Sequence, residues 1–216
     1  MISGIRLKVC GLTTRVDAEF AAASGADYLA FNLYPKSPRY LALKSYQGLG
    51  ICLPETRKVA VMVEPTREEL VEAESAGFDL FQIHFRHDLP ESTVTGWAEL
   101  VGVARLWLAP KLPPGVDVLA AFLPLAGTFL LDTFDEGKFG GTGRTGDWGK
   151  FARHQQAHPE KTWILSGGLN AENIGDALRQ SGARFVDVNS GVESAPGVKD
   201  HAKLARFVDR LRERRA

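Results

Sequence analysis

Cysteine is scarce in this 216-residue chain, with only Cys10 and Cys52 present. The two form no CxxC pair and are too few for a disulfide framework, which suits a reducing compartment. A chain of this length buries enough core to fold without such staples. Net charge is absent as well, since 26 basic residues balance 26 acidic ones. A balanced chain has no general attraction for nucleic acid or an anionic membrane. Long apolar runs are also missing. The most apolar stretch, Val118 to Leu131, is broken by Pro124 and Gly127 and bounded by Asp117 and Asp132. It falls short of the roughly 20 residues that a membrane helix needs. No basic start followed by an apolar run and a cleavage site opens the chain. We therefore expect a soluble, cytoplasmic protein with no nucleic-acid partner and no membrane span.

What is present is a repeated alternation of short β-branched runs and Ala/Leu/Glu-rich segments with helical spacing. Strands are expected at Ile5–Cys10, Tyr28–Leu33, Lys58–Val63 and Leu80–Ile83, then within Leu100–Leu108. Three more follow at Thr128–Asp132, Thr162–Ser166 and Phe185–Val188. Thr14 is the expected N-cap of the first helix, and Thr66 with Glu69 reads as a capping box for the third. Further helices are expected at Pro90–Glu99, Val116–Leu123 and Trp148–Ala157, after an Asn170 cap, and over Asp200–Arg214. Arg210, Arg212, Arg214 and Arg215 fall in the last turns, where cations suit the helix dipole. His154 and His158 share a helix face without an HExxH glutamate and are expected at the surface.

Eight strand–helix units in about 200 residues predict one domain over residues 1–216, a parallel eight-stranded (β/α)8 barrel of the TIM type. A doubly wound sheet competes, but no GxGxxG follows the first strand. The small residues Ser166-Gly167-Gly168 and Asn189-Ser190-Gly191 directly follow strands seven and eight. Barrels commonly bind phosphate there, on backbone N–H groups that small residues leave accessible.

In a barrel, chemistry gathers at the C-terminal strand ends. Cys10 ends the first strand, and alternation puts Lys8 on the same face. The Cys10 thiol is either a base, given a modest drop from the ordinary pKa of about 8.5, or a buried inert cysteine. Asp132 ends the sixth strand and is either a general acid with its pKa raised by burial or a cap or salt-bridge partner. Asp135 and Glu136 lie in the loop beyond it. That loop contains Phe139-Gly140-Gly141-Thr142-Gly143, either a lid or a turn against a ligand, and no GK[ST] follows to make it a Walker loop. Arg39, after a proline-stiffened turn, is either an anion clamp or a solvated loop arginine. Gln82 and His84 share a face and are either pocket residues or satisfied core groups. Asp187 and Asn189, at the end of strand eight, either orient backbone or meet substrate hydroxyls. Cys10, His84, His87 and Asp132 lack metal-ligand spacing, so no metal is expected.

At these positions the chain resembles the phosphoribosylanthranilate isomerase family of tryptophan biosynthesis. The KxCGxT motif stands as Lys8-Val9-Cys10-Gly11-Leu12-Thr13, and the P-x-SPR loop as Pro35-Lys36-Ser37-Pro38-Arg39. LLDT…GGTG stands as Leu130-Leu131-Asp132-Thr133 and Gly140-Gly141-Thr142-Gly143. SGGLxxENV stands as Ser166 through Ile174, and DxNSGVExxPGxKD as Asp187 through Asp200. The five motifs occur in order over essentially the whole chain. Two positions depart from the pattern and bear on pocket shape: Phe85 where QLHG has glycine, and Leu33 where the family often has an aromatic.

The resemblance implies an Amadori rearrangement of N-(5-phosphoribosyl)anthranilate to the carboxyphenylamino-deoxyribulose 5-phosphate. It implies Asp132 as the acid that opens the ring and Cys10 as the base at C2. No cofactor is implied, because the substrate's own nitrogen acts as electron sink. The phosphate would sit on Gly167, Gly168, Ser190 and Gly191, Arg39 would face the anthranilate carboxylate, and Gly141 would belong to a closing loop. Gln82, His84, Asp187 and Asn189 complete the expected substrate contacts. The partner is thus a small phosphorylated sugar–anthranilate, with the chain itself a monomer or a homodimer. The rival readings are an aldolase-type barrel with Lys8 as Schiff-base amine, a barrel that closes the indole ring, and a non-catalytic barrel that binds a phosphorylated metabolite.

Overall fold

The computed structural model describes residues 1–50, 55–132 and 147–213. Eight parallel strands close a barrel in chain order. They are β1 (Arg6–Val9), β2 (Tyr28–Asn32), β3 (Arg57–Val63), β4 (Leu80–Arg86), β5 (Leu106–Lys111), β6 (Thr128–Leu131), β7 (Thr162–Leu165) and β8 (Phe185–Val188). Helices α1 (Arg15–Ala23), α2 (Leu43–Gly50), α3 (Arg67–Ser75), α4 (Glu91–Val101), α5 (Trp148–Ala157), α6 (Ile174–Ser181) and α7 (His201–Arg212) lie between and after them. A short antiparallel hairpin, β9 (Glu193–Ala195) and β10 (Val198–Lys199), follows β8. The barrel expected from the sequence is the barrel found.

Both faces of each strand are covered, so the strands read as continuous hydrophobic runs. Along β3, Val59 and Val61 face the barrel interior, while Ala60 and Met62 join the layer beneath the helices. The interior has an aromatic floor. Tyr28, Trp107 and Phe185 pack with ring centroids 5.0, 5.1 and 5.6 Å apart. Above this floor the inward positions turn polar.

Local chemistry sets the helix starts. Thr14 accepts from the Asp17 amide, and Thr66 and Glu69 form the reciprocal capping box. Other boundaries differ from expectation. Leu100 and Val101 belong to α4, because Val94, Trp97, Ala98 and Val101 form one buried helical stripe. β5 therefore starts later, at Leu106. Between β5 and β6 the chain makes a 3-10 turn, Ala120–Leu125, with Pro124 inside it. The sixth helix begins at Ile174, not after Asn170. The Asn170 side chain instead accepts from the amides of Glu172 and Asn173 in the preceding turn.

His154 is buried, against the surface position expected of it. Its Nδ1 donates to the Lys150 carbonyl and its Nε2 accepts from the Val118 amide, which ties α5 to the β5–β6 connection. In the last turns of α7, Arg210 pairs with Glu213 and Arg212 with Asp209. Arg214 and Arg215 lie outside the described residues. No helix among the described residues is long and apolar enough to cross a membrane.

Candidate active site

The register of the first and last strands brings Lys8 opposite Asp187. Lys8 Nζ lies 2.9 Å from Asp187 Oδ1, and Ser166 Oγ donates to Asp187 Oδ2 at 3.3 Å. The lysine is fully buried. Burial pulls its pKa down, but Asp187 and then Cys10 more than reverse this, so the amine is held as an ammonium above its ordinary value. A nucleophilic amine needs the neutral form, and the pairing therefore argues against Lys8 as a Schiff-base former.

Cys10 sits one inward position further along, in the same interior cluster, and is 5% exposed. Burial pushes its thiol up, Lys8 and Lys199 pull it down, and Asp187 pushes it up again. The balance lies above the ordinary thiol value, where the sequence reading had asked for a modest depression. The reason is the barrel interior itself, which desolvates the thiolate and sets a carboxylate beside the nearer cation.

Gln82 and His84 lie side by side on β4, with Nε2 of each 2.7 Å apart. Burial and the nearby Lys8 push the His84 imidazole down to about 3, so it is neutral under ordinary conditions. With Gln82 Nε2 donating, His84 Nε2 accepts and its proton rests on Nδ1. Gln82 Oε1 has no hydrogen-bond partner among the described residues.

These groups open into a cavity of about 470 Å³ at the C-terminal end of the barrel. Cys10 and Asp132 both line it, from β1 and from the end of β6, three strands apart round the ring. Gln82, His84 and Asp187 line it from within the barrel, and Gly167, Gly168, Asn189 and Ser190 from the loops after β7 and β8. Gly191 does not line it. A methyl placed on Gly191 would lie 1.9 Å from the Leu169 carbonyl oxygen, so this glycine lets the β8 loop press against the β7 loop. Gly11 does a similar service beside Cys10. At φ +69°, its added methyl would meet Asn189 Oδ1 at 2.6 Å and Arg39 Cδ at 2.7 Å. Gly141, with Asp135, Glu136 and the rest of the glycine-rich loop, lies outside the described residues, as does Cys52.

Arg39 lines the cavity but is neither solvated nor uncommitted. Its Nε donates to Glu193 Oε1 at 2.9 Å and Nη2 to Glu193 Oε2 at 2.7 Å, in a buried bidentate pair. Lys199 completes the group, with Nζ 2.9 Å from Glu193 Oε1 and 2.9 Å from Asn189 Oδ1. Burial opposes the Glu193 charge, but Arg39 and Lys199 hold its pKa below the ordinary range. Reading the sequence for site residues did not single out Glu193 or Lys199. Their signal was a glutamate and a lysine flanking Pro196-Gly197, which the β9–β10 hairpin folds back onto the cavity wall.

The two departures from the family pattern leave the cavity alone. Phe85 points outward and packs edge-on against Trp97 and Phe122, at 5.7 and 5.4 Å. Leu33 packs against the same outer layer. Among the described residues no group of three or more His, Cys, Asp or Glu could hold a metal ion.

A closed (β/α)8 barrel with a cavity at the C-terminal ends of its strands has the architecture of a barrel enzyme. A family model described as N-(5'phosphoribosyl)anthranilate (PRA) isomerase matches residues 7–210. The chain belongs to that family. It is 36% identical to N-(5'-phosphoribosyl)anthranilate isomerase of Cereibacter sphaeroides, covering 98% of this chain and all of that one. Against the Aquifex aeolicus enzyme it is 35% identical over 96% of this chain and 98% of that one. The crystal structure of phosphoribosyl anthranilate isomerase from Thermus thermophilus superposes with a TM-score of 0.80 at 31% identity, over 98% of this chain and 100% of that one. Another isomerase structure, in complex with reduced 1-(o-carboxyphenylamino)-1-deoxyribulose 5-phosphate, gives 0.74 at 30% identity, over 97% and 99%.

Proposed function

We propose that this site carries out the Amadori rearrangement of N-(5'-phosphoribosyl)anthranilate in tryptophan biosynthesis, with Asp132 as acid and Cys10 as base. The observation that carries this reading is the convergence of Cys10 and Asp132 on one cavity with the glycine-rich ends of β7 and β8. Asp132 protonates the furanose ring oxygen, and the ring opens to an iminium between the substrate nitrogen and C1. Cys10 removes the C2 proton, and the iminium takes up the electron pair to give an enolamine. Tautomerisation yields the ketose. The substrate's own nitrogen is the electron sink, so the reaction calls for no cofactor.

The thiol rests protonated, and the chemistry itself corrects this. The positive iminium that ring opening creates favours the thiolate over the thiol. The intermediate thus raises the fraction of the thiol that stands as the base acting on it, the thiol proton passing to solvent. The phosphate is held by backbone N–H groups around Gly167, Gly168 and Ser190, with the closely packed Gly191 fixing the distance between the two loops. Arg39 faces the aryl carboxylate with Nη1, the nitrogen that its pairing with Glu193 leaves over. A thiol that must stay reduced to act as base suits the cytoplasm.

The test is the loss of anthranilate-type fluorescence when purified protein meets freshly generated phosphoribosylanthranilate without added metal or cofactor. A rate far above spontaneous decay, abolished in a Cys10→Ala, Asp132→Asn double variant, supports the reading. A folded protein that binds the product analogue but shows no turnover refutes it.

A further inference from the structure

Arg39, Glu193 and Lys199 form a buried cluster of two cations and one anion behind the cavity wall. Only Arg39 of the three lines the cavity. Glu193 grips Arg39 through both carboxylate oxygens, and Gly197 N also donates to its Oε1. A bidentate arginine–carboxylate pair is neutral overall, and a neutral pair is a poor receptor for a further carboxylate. Lys199 alters that count. Its Nζ meets three acceptors, Glu193 Oε1, Asn189 Oδ1 and the Asn189 carbonyl, at 2.9, 2.9 and 3.5 Å. Burial pulls the Lys199 pKa below its ordinary value and Glu193 opposes the pull, and the three acceptors call for the three protons of an ammonium.

With the Cys10 thiol, which acts on both Arg39 and Lys199, in its protonated resting form, the surrounding charges leave the count unchanged. Lys203 and Asp17 reach this hairpin only through the main-chain atoms Glu193 O and Lys199 N, and they are of opposite sign. Lys36, the other cation lining the cavity, is exposed and screened by water.

We propose that Lys199 is a specificity-determining residue for the aryl carboxylate of the substrate: its buried ammonium offsets Glu193, so that Arg39 is held in place and still faces the cavity with a net positive charge. The proposal rests on the function given above. It separates two jobs that one arginine cannot do alone. Glu193 fixes the guanidinium plane, and Lys199 keeps that fixing from cancelling the charge.

The experiment compares phosphoribosylanthranilate with the phosphoribosyl aniline that lacks the carboxylate, following ketose formation by chromatography. The readout is the ratio of the two kcat/KM values, in which any change at the Cys10 base cancels. Lys199→Met should lower this ratio about tenfold, the effect of one charge in a partly buried site, mainly through KM for the carboxylate substrate. The Lys199→Met, Glu193→Gln double variant restores the net charge and should recover most of the ratio. Glu193→Gln alone, which keeps an acceptor for both cations, should raise it. If Lys199→Met fails to fold by circular dichroism, Lys199→Gln, which removes the charge and keeps a donor, should lower the ratio in its place. An equal effect on both substrates, no recovery in the double variant, or no rise in Glu193→Gln overturns the proposal. Turnover by the unmodified protein tests the function separately. Without turnover, the same ratio is read from binding of the reduced carboxyphenylamino and phenylamino product analogues.

Discussion

Substituting Gly191 by alanine tests whether the two phosphate-side loops are held at a fixed distance by close packing. The added methyl would lie 1.9 Å from the Leu169 carbonyl oxygen and 2.9 Å from Asn170 Cβ. A carbon–oxygen contact is comfortable only near 3.3 Å. The β7 and β8 loops would therefore have to part by about 1.4 Å, and both obstructing atoms belong to the loop that carries Gly167 and Gly168. Overpacking of this kind typically costs about 1–3 kcal/mol. For a chain of this size that is a fall in Tm of roughly 2–12 °C. The effect on binding should exceed the effect on stability, since the backbone N–H groups of both loops meet the phosphate only at their present spacing. The expected pattern is a large rise in KM for the phosphorylated substrate and a modest change in kcat, because Cys10 and Asp132 stand on other strand ends. Steady-state kinetics, calorimetric binding of the product analogue and a thermal melt read the three quantities. An alanine variant with unchanged Tm and unchanged KM would refute the claim that this contact sets the loop spacing.

Other outcomes follow from the same structure. Cys10→Ala and Asp132→Asn should each lower kcat by about 10²–10⁴ while retaining analogue binding, as expected of general acid–base groups. Because the thiol is held up and the thiolate is the base, kcat/KM should climb with pH along a limb above the ordinary thiol value near 8.5. Asp187→Asn should move that limb down, and the rate of Cys10 alkylation should move with it. Glu193→Ala strands Arg39 and Lys199, and urea unfolding should register a loss of about 3–5 kcal/mol. Since the folded Glu193 pKa is depressed, its contribution is present above the unfolded value near 4.3 and lost as pH falls through the lower folded value. Phe85→Gly should cost about 3–5 kcal/mol by cavity formation with KM unchanged, because this ring packs outside the barrel.

The barrel was legible because each strand is a short apolar run between strong breakers, and because Cys10, Asp132, Gly167 and Asp187 recur at strand ends. Alternation correctly paired Lys8 with Cys10 and Gln82 with His84. The ends of β5 are not legible, because Leu100 and Val101 fit a buried helical stripe as well as a strand, and length alone does not separate the two. His154 was read as exposed because its partners, the Lys150 carbonyl and the Val118 amide, are backbone groups that leave no mark in side-chain patterning. The Arg39–Glu193 pair spans 154 positions and the Lys8–Asp187 pair 179, so neither has a local signature. The direction of the Cys10 shift was missed for a related reason. It depends on which distant charges surround the thiol once the barrel closes.

The pairing of Lys8 with Asp187 joins the first strand of the barrel to the last. A chain lacking β8 would, on folding, desolvate the Lys8 ammonium with no Asp187 beside it, a costly state for a buried charge. Such a fragment gains little by assembling its strands early. The joint between the ends of the fold thus ties closure of the ring to neutralisation of a buried charge, across 179 positions of sequence.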